Sequence, residues 1–113
     1  MPRVSVLLVD DHTLFRDSLR HLFANTGGIE VVADSATGER ALELLNKVQP
    51  DVVLMDYDLA SAQMDGIETM KQIHAQRPNL PVVMLSMYGE RQIIVAAAQA
   101  GAAGYVLKNA PSE

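Results

Sequence analysis

The chain has no cysteine, which removes disulfides, thiolate metal sites and cysteine nucleophiles together. It also lacks any excess of positive charge. Nine Lys and Arg face 14 Asp and Glu, a formal net charge of −5, whereas holding nucleic acid requires Lys and Arg clustered against the phosphates. No nucleic-acid contact is expected from this segment. Nor does any apolar run approach the roughly 20 residues that cross a bilayer. The N-terminal apolar stretch from Val4 to Val9 is interrupted by Ser5 and runs straight into Asp10 and Asp11, so neither a signal peptide nor a membrane span is expected. Internal repeats, low-complexity tracts and linkers are also missing. What is present is 113 residues, 49% hydrophobic and 20% charged, enough for one core but too few for a second domain.

Short apolar runs alternate with amphipathic stretches. Val4 to Val9 predicts a buried strand, and Thr13 to Thr26 a helix with Phe15, Leu19, Leu22 and Phe23 on one face, stopped by Gly27-Gly28. Ile29 to Ala33 predicts a second, weaker strand. After a turn from Ser35 to Gly38, helical spacing of Ala41, Leu44, Leu45 and Val48 continues until Pro50. Val52 to Met55 is a third strand ending at Asp56, and Ile67, Met70 and Ile73 line a helix running to Arg77. Val82 to Ser86, a helix from Glu90 to Ala100, and Gly104 to Leu107 complete the pattern. Five apolar strands separated by helices require right-handed crossovers and a parallel sheet covered on both faces, hence a doubly wound α/β domain over residues 1–113. In such sheets ligands bind outside the carboxyl ends of the strands.

Those ends carry Asp10 and Asp11, Asp56, Ser86 and Lys108. Three carboxylates converging on one crevice repel one another and raise at least one pKa unless a cation intervenes. With oxygen donors, no cysteine, and His12 as the only nearby imidazole, the crevice suits Mg²⁺ or Mn²⁺ rather than zinc. A lysine, a hydroxyl and a metal together receive the oxygens of a phosphoryl group. A carboxylate among them can act as the nucleophile that accepts it.

This set, in this order, resembles the receiver domain of two-component response regulators, and the resemblance covers essentially the whole chain. It rests on Leu7-Leu-Val-Asp-Asp-His12 with Phe15-Arg16, on Asp56 after Val52-Val-Leu-Met55, on Asp65-Gly66-Ile67-Glu68, on Ser86, and on Gly101 followed by Gly104-Tyr-Val-Leu-Lys108. The opening and closing motifs are most similar to regulators with a LuxR-type helix-turn-helix output domain. The resemblance implies a flavodoxin-like sheet of order 2-1-3-4-5 and Asp56 as acceptor of a phosphoryl group from a sensor histidine kinase. It further implies that Asp11, Asp56 and the backbone carbonyl of Asp58 bind Mg²⁺ directly, and Asp10 through a water. Lys108 and Ser86 would hold phosphoryl oxygens, with Tyr105 following Ser86 inward as the second switch residue. The setting would be cytoplasmic and the role that of a phosphoacceptor rather than an enzyme, governing an attached DNA-binding output domain.

Two features depart from that family. Tyr57 to Met64 gives a loop about two residues longer than usual and without proline, expected to be more mobile. The chain stops at Pro111-Ser-Glu113, where a fifth helix would begin. A chain truncated there is expected to lack its last helix and leave part of one sheet face bare, favouring a homodimer or lowering stability. Asp58 and Tyr88, two positions after Asp56 and Ser86, are expected to border the path of water that removes the phosphoryl group.

Plainer readings compete. An aspartate pair after a strand can be solvated punctuation, Tyr105 a half-buried strand aromatic, and His12, His21 and His74 residues of exposed helix faces rather than metal ligands. Asp56-Tyr-Asp58 also fits the Asp-x-Asp pattern of phosphatases, but that reading gives Asp10 and Asp11 no role. A mononucleotide binder of this architecture would not place two aspartates in its phosphate loop. A receiver used only for docking would have no need of the full set of acidic, hydroxyl and lysine groups.

Overall fold

The computed structural model describes residues 3–59, 64–87 and 89–108. The expectations for the middle of the loop after Asp56, for Tyr88 and for the segment from 109 onward lie outside them. In chain order the elements are β1 (Val4–Val9), α1 (Thr13–Thr26), β2 (Ile29–Ser35), α2 (Gly38–Leu44), β3 (Val52–Asp56), α3 (Gly66–Gln76), β4 (Val82–Ser86), α4 (Arg91–Gln99) and β5 (Gly104–Leu107). The strands form one sheet in the order β2-β1-β3-β4-β5, every pair parallel. Among the described residues no helix is long and apolar enough to cross a membrane.

Handedness dictates where the helices go. β2 lies on one side of β1, while β3, β4 and β5 follow on the other. Right-handed crossovers therefore put α1 on one face and α2, α3 and α4 on the opposite one. Alternation along each strand sends Leu7, Val9, Val53, Met55, Val82 and Met84 to the three-helix face, where they pack with Ala41, Leu45, Met70, Ile73 and Ala97 in the main core. No α1 residue is fully buried. Phe15, Leu19 and Phe23 are half-buried and Leu22 is exposed, so the predicted apolar face of α1 is only partly covered.

Two boundaries differ from the sequence expectation. β2 runs to Ser35 rather than Ala33 because the register between β1 and β2 slips after Val6, skipping Val32 and bringing Asp34 and Ser35 opposite Leu8 and Val9. α2 ends at Leu44, and the chain reaches Val48 through tight turns, Asn46 N–H donating to Glu43 O at 3.1 Å and Lys47 N–H to Leu44 O at 2.9 Å. The α3 start is fixed by a capping interaction, with Asp65 Oδ1 accepting from Glu68 N–H at 2.8 Å. Gly66 then donates its N–H to Tyr57 O at 2.9 Å, which ties this helix to the residue after Asp56.

Candidate functional site

The reversal in strand order falls between β1 and β3, and the carboxyl ends of these strands carry the acidic residues. Asp10 follows β1, with its N–H donating to Ser35 O at 2.9 Å and its side chain 0% exposed. Its Oδ1 accepts from His12 N–H at 2.7 Å, which turns the chain toward α1. Asp56 closes β3 at 1% exposure, and its Oδ1 accepts from Asp58 N–H at 3.2 Å.

Lys108 reaches the same place from β5. Its N–H donates to Ser86 O at 2.8 Å, and its Nζ lies 2.7 Å from Asp10 Oδ2 and 3.1 Å from Asp56 Oδ2. The Phe15 ring centroid is 4.6 Å from the same ammonium, a cation–π contact that covers the lysine from the α1 side. An open depression of about 330 Å³, lined by His12, Leu14, Phe15, Met87 and Lys108, adjoins it.

Electrostatics follow from the packing. Burial, and after it the nearby Asp10 charge, pushes Asp56 up from 3.8 to about 6, against the opposing pull of Lys108 and the Asp58 amide. Burial alone would lower the Lys108 pKa, but its contacts with Asp10 and Asp56 prevail and raise it. The ammonium therefore stays charged across the neutral range.

Asp10, Asp11, His12 and Asp56 each bring one ligating atom within 4.8 Å of the others. Asp11 Oδ1 is buried and accepts no hydrogen bond. Three converging carboxylates, one of them carrying an oxygen without a donor, fit a divalent cation with a preference for oxygen ligands.

The structure thus brings together Asp10, Asp11, Asp56 and Lys108. The Asp58 carboxylate is not in the four-residue cluster, although its backbone lies against Asp56. Ser86 is buried at the end of β4, one position beyond the residue paired with Asp56. Tyr105 pairs with Met84, placing it half-buried on the Ser86 face, two pairs back along the sheet. Sequence reasoning set His12 aside, yet its Nδ1 lies 3.2 Å from Asp10 Oδ1, 3.3 Å from Asp11 Oδ1 and 3.7 Å from Asp56 Oδ2. The signal for it was its place directly after the aspartate pair and before the first turn of α1.

Comparison with known proteins gives the family and the fold. Residues 6–113 match the family described as the response regulator receiver domain. An uncharacterized transcriptional regulatory protein of Bacillus subtilis, YhcZ, is 38% identical over 110 residues, 97% of this chain and 50% of that protein. DegU of Brevibacillus brevis is 34% identical over 106 residues, 94% of this chain and 44% of its own length. The chain spans about half the length of such relatives. Among solved structures, a LuxR-family two-component response regulator from Aurantimonas superposes with a TM-score of 0.89 at 31% identity, covering 96% of this chain and 76% of that one. The receiver domain of a NarL-type regulator from Mycobacterium tuberculosis also gives 0.89, at 33% identity, covering 98% and 88%.

Proposed function

The chain belongs to the response regulator receiver domains, and from that premise we propose that Asp56 accepts a phosphoryl group from a sensor histidine kinase and that the resulting switch governs an attached helix-turn-helix output domain. The observation that carries this reading is the buried carboxylate of Asp56 held 3.1 Å from the Lys108 ammonium. Relatives named as transcriptional regulators, about twice as long as this chain, support the output role. The protein is a phosphoacceptor in signalling, working in the cytoplasm.

In the transfer, an ionised oxygen of Asp56 forms a bond to phosphorus as the N–P bond to the donor imidazole breaks. The imidazole leaves with that electron pair and Asp56 becomes an acyl phosphate. Lys108 balances the charge gained on the phosphoryl oxygens. Asp11, Asp56 and the Asp58 carbonyl would hold Mg²⁺ or Mn²⁺, with Asp10 acting through a water, and the ion would neutralise phosphoryl charge during transfer. Ser86 turns its hydroxyl to donate to another phosphoryl oxygen. Tyr105, on the same sheet face, repacks toward the space this opens.

The test is intact mass after incubation with acetyl phosphate, with and without Mg²⁺. The parent gains one phosphoryl group only with the ion, and Asp56→Asn gains none. No gain in the parent, or equal gain in the variant, overturns the assignment.

A further inference from the structure

We infer that His12 is a nitrogen ligand of the metal site, so that this receiver favours borderline transition ions over Mg²⁺ more than a site with oxygen donors alone would. The inference rests on the proposed metal binding at Asp10, Asp11 and Asp56 and concerns which ions they take.

Three observations carry it. First, the imidazole turns inward although its side chain is 58% exposed, with Nδ1 facing an oxygen of each of the three carboxylates at 3.2, 3.3 and 3.7 Å. Second, Lys108 Nζ lies 3.1 Å from the same Nδ1. An ammonium has donors and no acceptor, so this contact is a hydrogen bond only when Nδ1 offers its lone pair and Nε2 carries the ring proton. With that tautomer the ring nitrogen accepts from a cationic donor inside the carboxylate cluster, with the other it donates to Asp10 Oδ1 at 3.2 Å, and a bound metal ion would select the first, whose lone pair already points into the cluster. Third, Asp11 Oδ1, 3.3 Å from Nδ1, is buried and accepts no hydrogen bond. A dication between that oxygen and the ring nitrogen satisfies both lone pairs.

The consequence is selectivity. Carboxylates suit Mg²⁺ and Mn²⁺, whereas an imidazole adds affinity for ions such as Ni²⁺ and Zn²⁺ and little for Mg²⁺. His12 precedes α1 without capping it through its side chain, so replacing it need not disturb the helix start.

The test uses the full chain, its His12→Gln variant and its Asp11→Asn variant, each checked for an unchanged far-ultraviolet spectrum. Pulsed electron paramagnetic resonance of bound Mn²⁺ is expected to show coupling to a ¹⁴N nucleus in the parent and none in His12→Gln. By calorimetry, His12→Gln weakens Ni²⁺ by about tenfold or more and Mg²⁺ by less than about threefold, while Asp11→Asn weakens both. Bound Mn²⁺ without nitrogen coupling in the parent, or equal losses for Ni²⁺ and Mg²⁺ in His12→Gln, overturns the role of His12 and leaves the metal site standing. A parent that binds none of these ions overturns both.

Discussion

The Lys108 ammonium donates to Asp56 Oδ2 at 3.1 Å, joining the carboxyl ends of β5 and β3 across 52 residues of chain. The same ammonium neutralises Asp10 at 2.7 Å, so one cation serves two fully buried carboxylates. Replacing it with an apolar residue leaves both uncompensated. Lys108→Met is expected to destabilise the metal-free protein by about 3–5 kcal/mol near neutral pH, measured by urea unfolding. The loss should shrink at about pH 5, where Asp56 holds a proton, and Mg²⁺ should restore part of it. An unchanged midpoint would mean that the pair adds nothing to the fold.

That lysine shows how far sequence alone could go. The ends of β1, β3, β4 and β5 were readable because each of these strands is a short apolar run stopped by a polar residue, and β1, β4 and β5 have the expected bounds. The convergence of Asp10, Asp56 and Lys108 follows from sheet order once the strands are placed. What stayed hidden depends on geometry that periodicity does not encode. The slip past Val32 extends β2, the tight turns after Leu44 shorten α2, and the inward turn of the His12 ring is set by side-chain torsions.

Asp56 gives a prediction with a defined sign. Its folded-state pKa of about 6 lies above its ordinary 3.8, so the folded state binds the extra proton between those values. The associated stability is fully present below about pH 4 and is lost as pH rises through about 6, at a cost of about 3 kcal/mol for the ionised form. Asn carries no charge to desolvate. In metal-free buffer Asp56→Asn is expected to be more stable than the parent by about 1–3 kcal/mol above pH 6, less whatever Lys108 loses as its partner disappears, and no more stable below about pH 4. Thermal unfolding across that range checks it, and a difference independent of pH would contradict the raised pKa.

Two glycines separate fold from site. A Cβ at Gly38 would lie 2.0 Å from Thr69 Oγ1, where α2 meets α3. At Gly66 it would lie 2.2 Å from the backbone oxygen of Asp56 and 2.9 Å from Tyr57 Cα. Both Ala variants should lose about 1–3 kcal/mol from overpacking. Only Gly66→Ala pushes on the backbone of Asp56, the proposed acceptor, so only it should slow phosphorylation by acetyl phosphate when the two are compared under folding conditions. Gly104→Ala meets nothing nearer than 3.7 Å and should cost no stability. Equal labelling rates in Gly38→Ala and Gly66→Ala would argue against backbone positioning of Asp56 by the start of α3.

Ser86 separates chemistry from switching. It is fully buried, and in the proposed transfer its hydroxyl would have a phosphoryl oxygen to bond only after the step, so it would contribute little to the nucleophilicity of Asp56. A hydrogen bond to a charged acceptor is worth about 1.5–3 kcal/mol, enough to shift a two-state equilibrium by about tenfold to a hundredfold. Ser86→Ala should therefore take up phosphate within about threefold of the parent rate while losing most of that bias. Tyr105 reports the difference because it sits on the same face as Ser86, opposite Met84 and against the core. Phosphorylation of the parent should change the Tyr105 ring resonances and the amide exchange of β5, and phosphorylated Ser86→Ala should show neither change at comparable occupancy. If the variant shows the full change, the force that moves Tyr105 must come from Lys108 or from the phosphoryl charge itself, and the hydroxyl is a spectator.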